Sequence, residues 1–170
     1  DDAVLEREGV TVRYRGSIDR VETGVDERLD ATSFIAAIDY KSSKGSTPAG
    51  GDKAGWDDGV VLQLPLYAHA LQQQLPGKRV SRIEYRVLKK HEIIHALEMY
   101  QVQPKTHALE PDAEAAARME QALDHVVSHV RQIRGGHFPA RPAPSCHCPP
   151  FCGAWDICRV KGGPKTGRER

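Results

Sequence analysis

Two hydrophobic periods divide this chain. Val10–Val21 (VTVRYRGSIDRV) alternates Val, Val and Tyr with polar residues, then passes Gly16 into Ile18, Asp19 and Arg20. That period of two predicts a strand, with Gly16 as a bulge or a point of close approach. Residues 22–32 are acidic and turn-like, so a hairpin should lead into Phe34–Lys41 (FIAAIDYK), an apolar run that reads as a buried strand. Alternation places Asp39 and Lys41 on the same face at its end, and hairpin pairing would bring Asp19 near Asp39. Residues 42–58 (SSKGSTPAGGDKAGWDD) are rich in Gly, Ser and Asp and are expected to form a mobile loop. No Gly-Lys-Ser/Thr follows the spaced glycines, so the likeness to a phosphate loop is superficial.

The period then changes. A helix is predicted from about Gly59 to Leu75, starting regularly near Leu62 so that Pro65 falls in the first turn, where a missing N–H costs little. Gln63 and Tyr67, four apart, share one face, while Leu62, Leu66 and Leu71 can pack elsewhere. Val80–Leu88 (VSRIEYRVL) has strand chemistry, and Ile94–Val102 reads as its partner after a turn near Lys89 and Lys90. Asp112 should cap a long helix to about Ile133, with Gly135 and Gly136 beyond its end. The order is strand, strand, helix, strand, strand, helix, then a cysteine-rich tail, without internal repeats.

Composition narrows the class. At 170 residues, 39% hydrophobic and 28% charged, the chain suits one ordinary globular domain with its own core. It begins at Asp1 and enters strand-like sequence almost at once, which suggests a piece of a larger protein. No apolar run approaches a membrane span or a signal-peptide core, so a soluble, cytoplasmic protein is expected. The net charge of +1 divides into +4 over residues 159–170 and −3 over residues 1–158. No basic footprint covers the body of the domain, and the tail with its Gly-Gly-Pro reads as a solvated, disordered end.

Three groups of residues carry candidate chemistry. Asp19 and Asp39 offer carboxylate oxygens and Tyr40 a backbone carbonyl, all hard ligands for a divalent cation. Lys41 could hold a water or a phosphate, and Gln63 with Tyr67 could orient Lys41 or contact a nucleic-acid strand. Any domain can show two acids beside a lysine, so these motifs carry little weight singly. In the second group, Cys146, Cys148, Cys152 and Cys158 all lie within SCHCPPFCGAWDIC. Such clustering without a secretory signal favours a metal or a cluster over disulfides, and the spacing leaves zinc and iron–sulfur both open.

The third group is His91–His95, HEIIH, a literal match to the zinc-peptidase signature of two His and a general-base Glu on one helical turn. The run follows a strand-like segment and a Lys-Lys turn, so it reads as extended. That would separate His91 and His95 by roughly 13 Å, too far to share an ion. His125 and His129 are also four apart and are expected on the solvated face of the last helix.

In combination, GSIDRV, IDYKSSKG, LQLPLYAHAL and IEYRVL resemble the RecB and AddB branch of the PD-(D/E)XK nuclease superfamily, over roughly residues 9–158. The resemblance implies an α/β fold with a restriction-endonuclease-like core: a central mixed sheet flanked by helices, followed by a cysteine-rich segment. It implies DNA cleavage with Mg2+ or Mn2+, more in keeping with an exonuclease than an endonuclease, within a DNA-repair helicase–nuclease. Asp19 and Asp39 would then be metal ligands, Lys41 the catalytic lysine, and Gln63 with Tyr67 the motif that follows. Relatives usually place a metal-binding His on a helix before the first strand, and no such helix is read here. Many also hold a 4Fe-4S cluster on a C-terminal cysteine group and one upstream Cys. The Cys152, five-residue gap, Cys158 end of that pattern is present, whereas the gap before Cys152 departs from it. The nuclease domain is therefore expected over residues 1–158 and a basic tail over 159–170. The rival readings are a catalytically silent iron–sulfur DNA-binding module and, less favoured, a zinc peptidase.

Overall fold

The structure, a computed structural model, describes residues 2–25, 33–43, 56, 59 and 61–137. By backbone contacts the chain divides into Asp1–Arg131 and Gln132–Arg170. The described part of the second unit is the end of the last helix and residues 135–137. Among the described residues, eight strands and two α-helices occur in the order β1 (Ala3–Arg7), β2 (Val10–Tyr14), β3 (Arg20–Val25), β4 (Ser33–Lys41), α1 (Gln63–Gln74), β5 (Arg79–Val87), β6 (Glu92–Glu98), β7 (Tyr100–Val102), β8 (Leu109–Pro111) and α2 (Ala113–Arg134). The fold is α/β. A central four-stranded sheet, β3-β4-β5-β6, is mixed: β4 and β5 are parallel, and both outer pairs are antiparallel.

The segment Val10–Val21 is two strands rather than one. Pairing stops at Tyr14 and resumes at Arg20 in another sheet, and Gly16 lies in the break, where a Cβ would come 3.5 Å from the Tyr67 ring. β3 then continues to Val25, through residues that read as turn. β2 pairs with β1 through a two-residue turn at Glu8 and Gly9, both at positive φ, a geometry that matches the twist of the strands. This hairpin is tied to both helices. Gln73 of α1 bonds the Val4 backbone N–H and C=O, Tyr14 Oη lies 2.6 Å from His69 Nδ1, and Arg7 pairs with Glu120 and Asp124 of α2.

α1 begins where Pro65 permits. Leu62 is the flanking residue and Pro65 the third helical position, so its absent N–H would have had no partner within the helix. Leu64, Ala68 and Leu71 are buried, and the helix packs on β4 and β5. β4 is buried on both faces, with Ile35, Ala36, Ala37 and Ile38 all at 5% exposure or less, as expected of a strand inside a mixed sheet. Trp56, within the segment read as loop, is fully buried.

Two other expectations need correction. Tyr100–Val102 does not extend the partner of β5: β6 ends at Glu98, and β7 pairs with β8 instead. His129 is exposed, as expected of a solvated face, whereas His125 is half-buried, and both make contacts that the sequence did not show. Their rings stack at 6.3 Å, His129 Nε2 lies 2.9 Å from Gly59 O, and both imidazoles flank Gly59. The other end of α2 follows the sequence, because Asp112 Oδ1 accepts the N–H groups of Glu114 and Ala115, and Gly136 adopts φ +71° beyond the last turn.

On the face of the sheet that carries Ile38, charges bridge β3 and β5 over β4. Ala36 stands opposite both Glu22 and Arg82, and its small side chain lets Glu22 reach Arg82 at 3.3 Å and Arg86 at 3.1 Å. Buried Glu84 pairs with Arg86 at 2.7 Å and Arg82 at 3.2 Å. The Arg86 hydrogen bond, helped by the charges of Arg86, Arg20 and Arg82, holds the Glu22 carboxyl below the usual carboxylate range.

Two outcomes follow from this packing. Gly59 has φ +66°, and a Cβ there would come 2.9 Å from His125 Cγ, so Gly59→Ala should lower unfolding free energy by about 2 kcal/mol from left-handed strain and overlap together. Urea melts check this, and unchanged stability would contradict the packing. Because the folded-state pKa of Glu22 is depressed, its contribution is present above the unfolded value and is lost as pH falls through the lower folded one. Wild type should therefore lose more stability than Glu22→Gln from about pH 4 downward, whereas parallel acid limbs would show that the ladder contributes nothing.

Candidate active site

The end of β4 collects the polar groups. Asp39 and Lys41 share a face, and the Lys41 ammonium stands 2.6 Å from Asp39 Oδ2. Asp39 is only 3% exposed. Its Oδ1 accepts a 3.1 Å hydrogen bond from Gln63 Nε2, which also lies 2.8 Å from Tyr67 Oη, so the first turn of α1 delivers both residues to this carboxylate. Asp19 lies one residue before β3. Since Arg20 pairs with Ile38, Asp19 stands level with Asp39, and its Oδ2 accepts the Tyr40 N–H at 2.8 Å. The five side chains singled out in the sequence are thus assembled at one corner of the sheet. The Tyr40 side chain points to the other face, where its hydroxyl meets Arg20.

Oδ2 of Asp39 is buried without a hydrogen-bond partner among the described residues, although Lys41 is so near. The Lys41 ammonium at that distance supplies the countercharge to this oxygen. Oδ2 and the exposed Asp19 carboxylate are hard oxygen donors of the type a divalent cation takes. Among the described residues no three His, Cys, Asp or Glu side chains gather as a metal cluster. Two carboxylates here therefore need backbone, solvent or substrate oxygens to complete a coordination sphere, a common arrangement for Mg2+.

Tyr85 belongs to the same corner, and sequence reasoning missed it. It pairs directly with Asp39 in the parallel β4–β5 register, it is fully buried, and Lys41 Nζ lies 5.6 Å from its ring centroid. Burial first, then the Asp39 charge and Tyr67, keep its hydroxyl protonated well above the ordinary phenol range. In the sequence it is one aromatic in a strand of core residues. Only the register of β5 against β4 exposes its role.

The other candidates lie elsewhere. Glu92–His95 lies on β6, opposite residues of β5, and His91 occupies a left-handed position after the 3-10 turn Leu88–Lys90. The stretch is extended, as its neighbours implied, and His95 Nδ1 faces Glu98 at 3.4 Å. Cys146, Cys148, Cys152 and Cys158 lie outside the described residues. A cavity of about 420 Å³ lined by His69, Arg79, Met99, Met119 and Leu123 sits at the far end of β5 from Tyr85 and contains none of these groups.

The family model described as PD-(D/E)XK nuclease superfamily matches residues 3–159, nearly the whole chain. The chain belongs to the PD-(D/E)XK nuclease superfamily. This supports a nuclease acting on DNA, and nucleases of this superfamily typically use Mg2+ or Mn2+. No curated protein and no solved structure gave a significant match. No described helix is long and apolar enough to cross a membrane.

The Tyr85 hydroxyl is buried with no hydrogen-bond partner among the described residues. An unpaired buried hydroxyl costs about 1–3 kcal/mol, so Tyr85→Phe should melt at or above the wild-type temperature. A clear drop in melting temperature would reveal a stabilising partner for that hydroxyl.

Proposed function

We propose that this superfamily member is a RecB/AddB-type DNA nuclease dependent on Mg2+ or Mn2+, with Asp19, Asp39, Lys41, Gln63 and Tyr67 as its catalytic apparatus. The observation that carries this reading is the convergence of Asp39, Lys41, Gln63 and Tyr67 within hydrogen-bonding and ion-pairing distance at the end of β4. Asp19 and Asp39, with the Tyr40 carbonyl, would hold the cation. When bound, that cation neutralises phosphate charge and lowers the pKa of water.

The chain's own groups do the remaining work. Gln63 holds Oδ1 of Asp39, while Oδ2 faces the Lys41 ammonium. Lys41 presents its ammonium to a phosphate oxygen or to the attacking water, stabilising charge that grows in the transition state. Tyr67, tied to Gln63, fixes the rim over which the DNA strand would pass. Lys89 and Lys90 lie in an exposed turn whose Lys89 N–H bonds the carbonyl of Ser42, the residue after Lys41, and neither ammonium pairs with a carboxylate among the described residues. Their position suits contact with phosphates flanking the cut.

Exonucleolytic action, a helicase domain or subunit as partner, and a 4Fe-4S cluster on Cys146, Cys148, Cys152 and Cys158 complete the proposal. They rest on the sequence resemblance and on the clustering of the cysteines. The zinc-peptidase reading loses its basis, because His95 on β6 and His91 in the left-handed position just before that strand do not form the helical pair its chemistry requires.

Mg2+-dependent DNA cleavage by the protein in its full-length context should fall at least 100-fold in Asp39→Ala and Lys41→Ala, the scale on which loss of a charge-stabilising group is felt. Glu92→Ala should retain it. Undiminished cleavage in the first two variants would refute the site assignment. Anaerobic purification should give a brown protein, and stoichiometric zinc without iron would refute the cluster.

A further inference from the structure

We infer that Lys41 is a built-in competitor for the cation site, filling the place on Asp39 Oδ2 that a divalent cation takes, and that the Tyr85 ring is the seat onto which its ammonium withdraws. The inference rests on the nuclease reading of this corner but concerns a property that reading does not require.

It starts from charge and position. Asp39 is buried, its Oδ1 is engaged by Gln63, and Oδ2 is met by the Lys41 ammonium at 2.6 Å. The ammonium therefore acts at Oδ2 as a point cation, balancing a carboxylate that burial would otherwise penalise. A second cation at the same oxygen would meet that ammonium at close range, where like charges repel strongly in a poorly solvated site. Lys41 must give up Oδ2 for the site to fill.

Among the described residues, the Tyr85 ring offers it a place to withdraw. The Tyr85 ring lies 5.6 Å from Nζ, within the range over which an aromatic face attracts a cation. Tyr85 is fully buried and fixed opposite Asp39 by the β4–β5 register, so the seat is rigid while the Lys41 stem is flexible. At 23% exposure the Lys41 side chain has room to shift without leaving the corner. Tyr85 is thus a positioning residue that acts through Lys41 and keeps its charge near the reacting phosphate after it has left Asp39.

The test is Mn2+ binding to the full chain without DNA, read from the electron paramagnetic resonance of free Mn2+. Lys41→Met should bind Mn2+ about tenfold more tightly than wild type, although it cuts DNA poorly. Its melting temperature should also rise more with Mn2+ than that of wild type. Tyr85→Leu should bind Mn2+ several-fold more weakly, and Tyr85→Phe, which keeps the ring, should match wild type. In the Lys41→Met background Tyr85→Leu should have no further effect, since the ring acts only through the ammonium.

Equal or weaker Mn2+ binding by Lys41→Met would overturn the competition. An undiminished effect of Tyr85→Leu in the Lys41→Met background would overturn the seat, showing that the ring supports the site by packing alone. Asp39→Asn separates the two levels. If it binds Mn2+ as tightly as wild type, the cation site itself is misplaced and the nuclease apparatus must be reassigned.

Discussion

The constraint on which the site depends is the burial of one carboxylate, Asp39, paired with the half-buried Lys41 at the end of a central strand. Taking a carboxylate out of water is costly unless it is paired and hydrogen-bonded. This one has a cation at Oδ2 and an amide at Oδ1. Each partner comes from a different level of the fold. Lys41 follows from the two-residue repeat of β4, and Gln63 from the first turn of the helix that crosses from β4 to β5. The third neighbour, the Tyr85 ring, comes from the parallel partner strand. Moving β4 by one residue against β5 would take Tyr85 to the opposite face, so sheet register and site geometry are a single constraint.

The rest of the molecule holds that register. On one face, Ala36 is small enough for the Glu22, Arg82 and Arg86 ladder to cross it and tie β3 to β5. On the other, α1 packs Leu64, Ala68 and Leu71 inward while Gln63 and Tyr67 remain at the corner. The β1–β2 hairpin clamps α1 through Gln73 and His69, and Gly59 is held between His125 and His129 just ahead of that helix. These contacts lie away from Asp39, and they hold the strands and the helix that carry its partners Lys41 and Gln63.

Much of this was legible in the sequence, for a physical reason. Strand parity alone places Asp39 and Lys41 together, i to i+4 spacing alone joins Gln63 to Tyr67, and the hairpin brings Asp19 alongside. The parts that were not legible depend on tertiary pairing. Tyr85 looks like any core aromatic until β5 is registered on β4. Gly16 reads as a bulge or a point of close approach, and only the partners of the flanking residues place it in a break between two strands. Tyr100–Val102 continues the apolar pattern of β6 but turns away to pair with β8. His125 and His129 look like solvated helix residues because the Gly59 segment that meets them is 70 residues from His129 in sequence.

Superfamily membership, the Asp39–Lys41 pair and its ring neighbour support the proposal that this corner of the sheet binds a divalent cation through Asp39 and Asp19, with Lys41 held beside it. Anomalous diffraction at the manganese edge, from crystals of the protein grown with Mn2+, tests it most directly. The account predicts a peak in coordination range of Asp39 Oδ2 and an Asp19 oxygen, with the Lys41 ammonium off Oδ2 and over the Tyr85 ring. A peak remote from both carboxylates, or none while Lys41 remains on Oδ2, would contradict it.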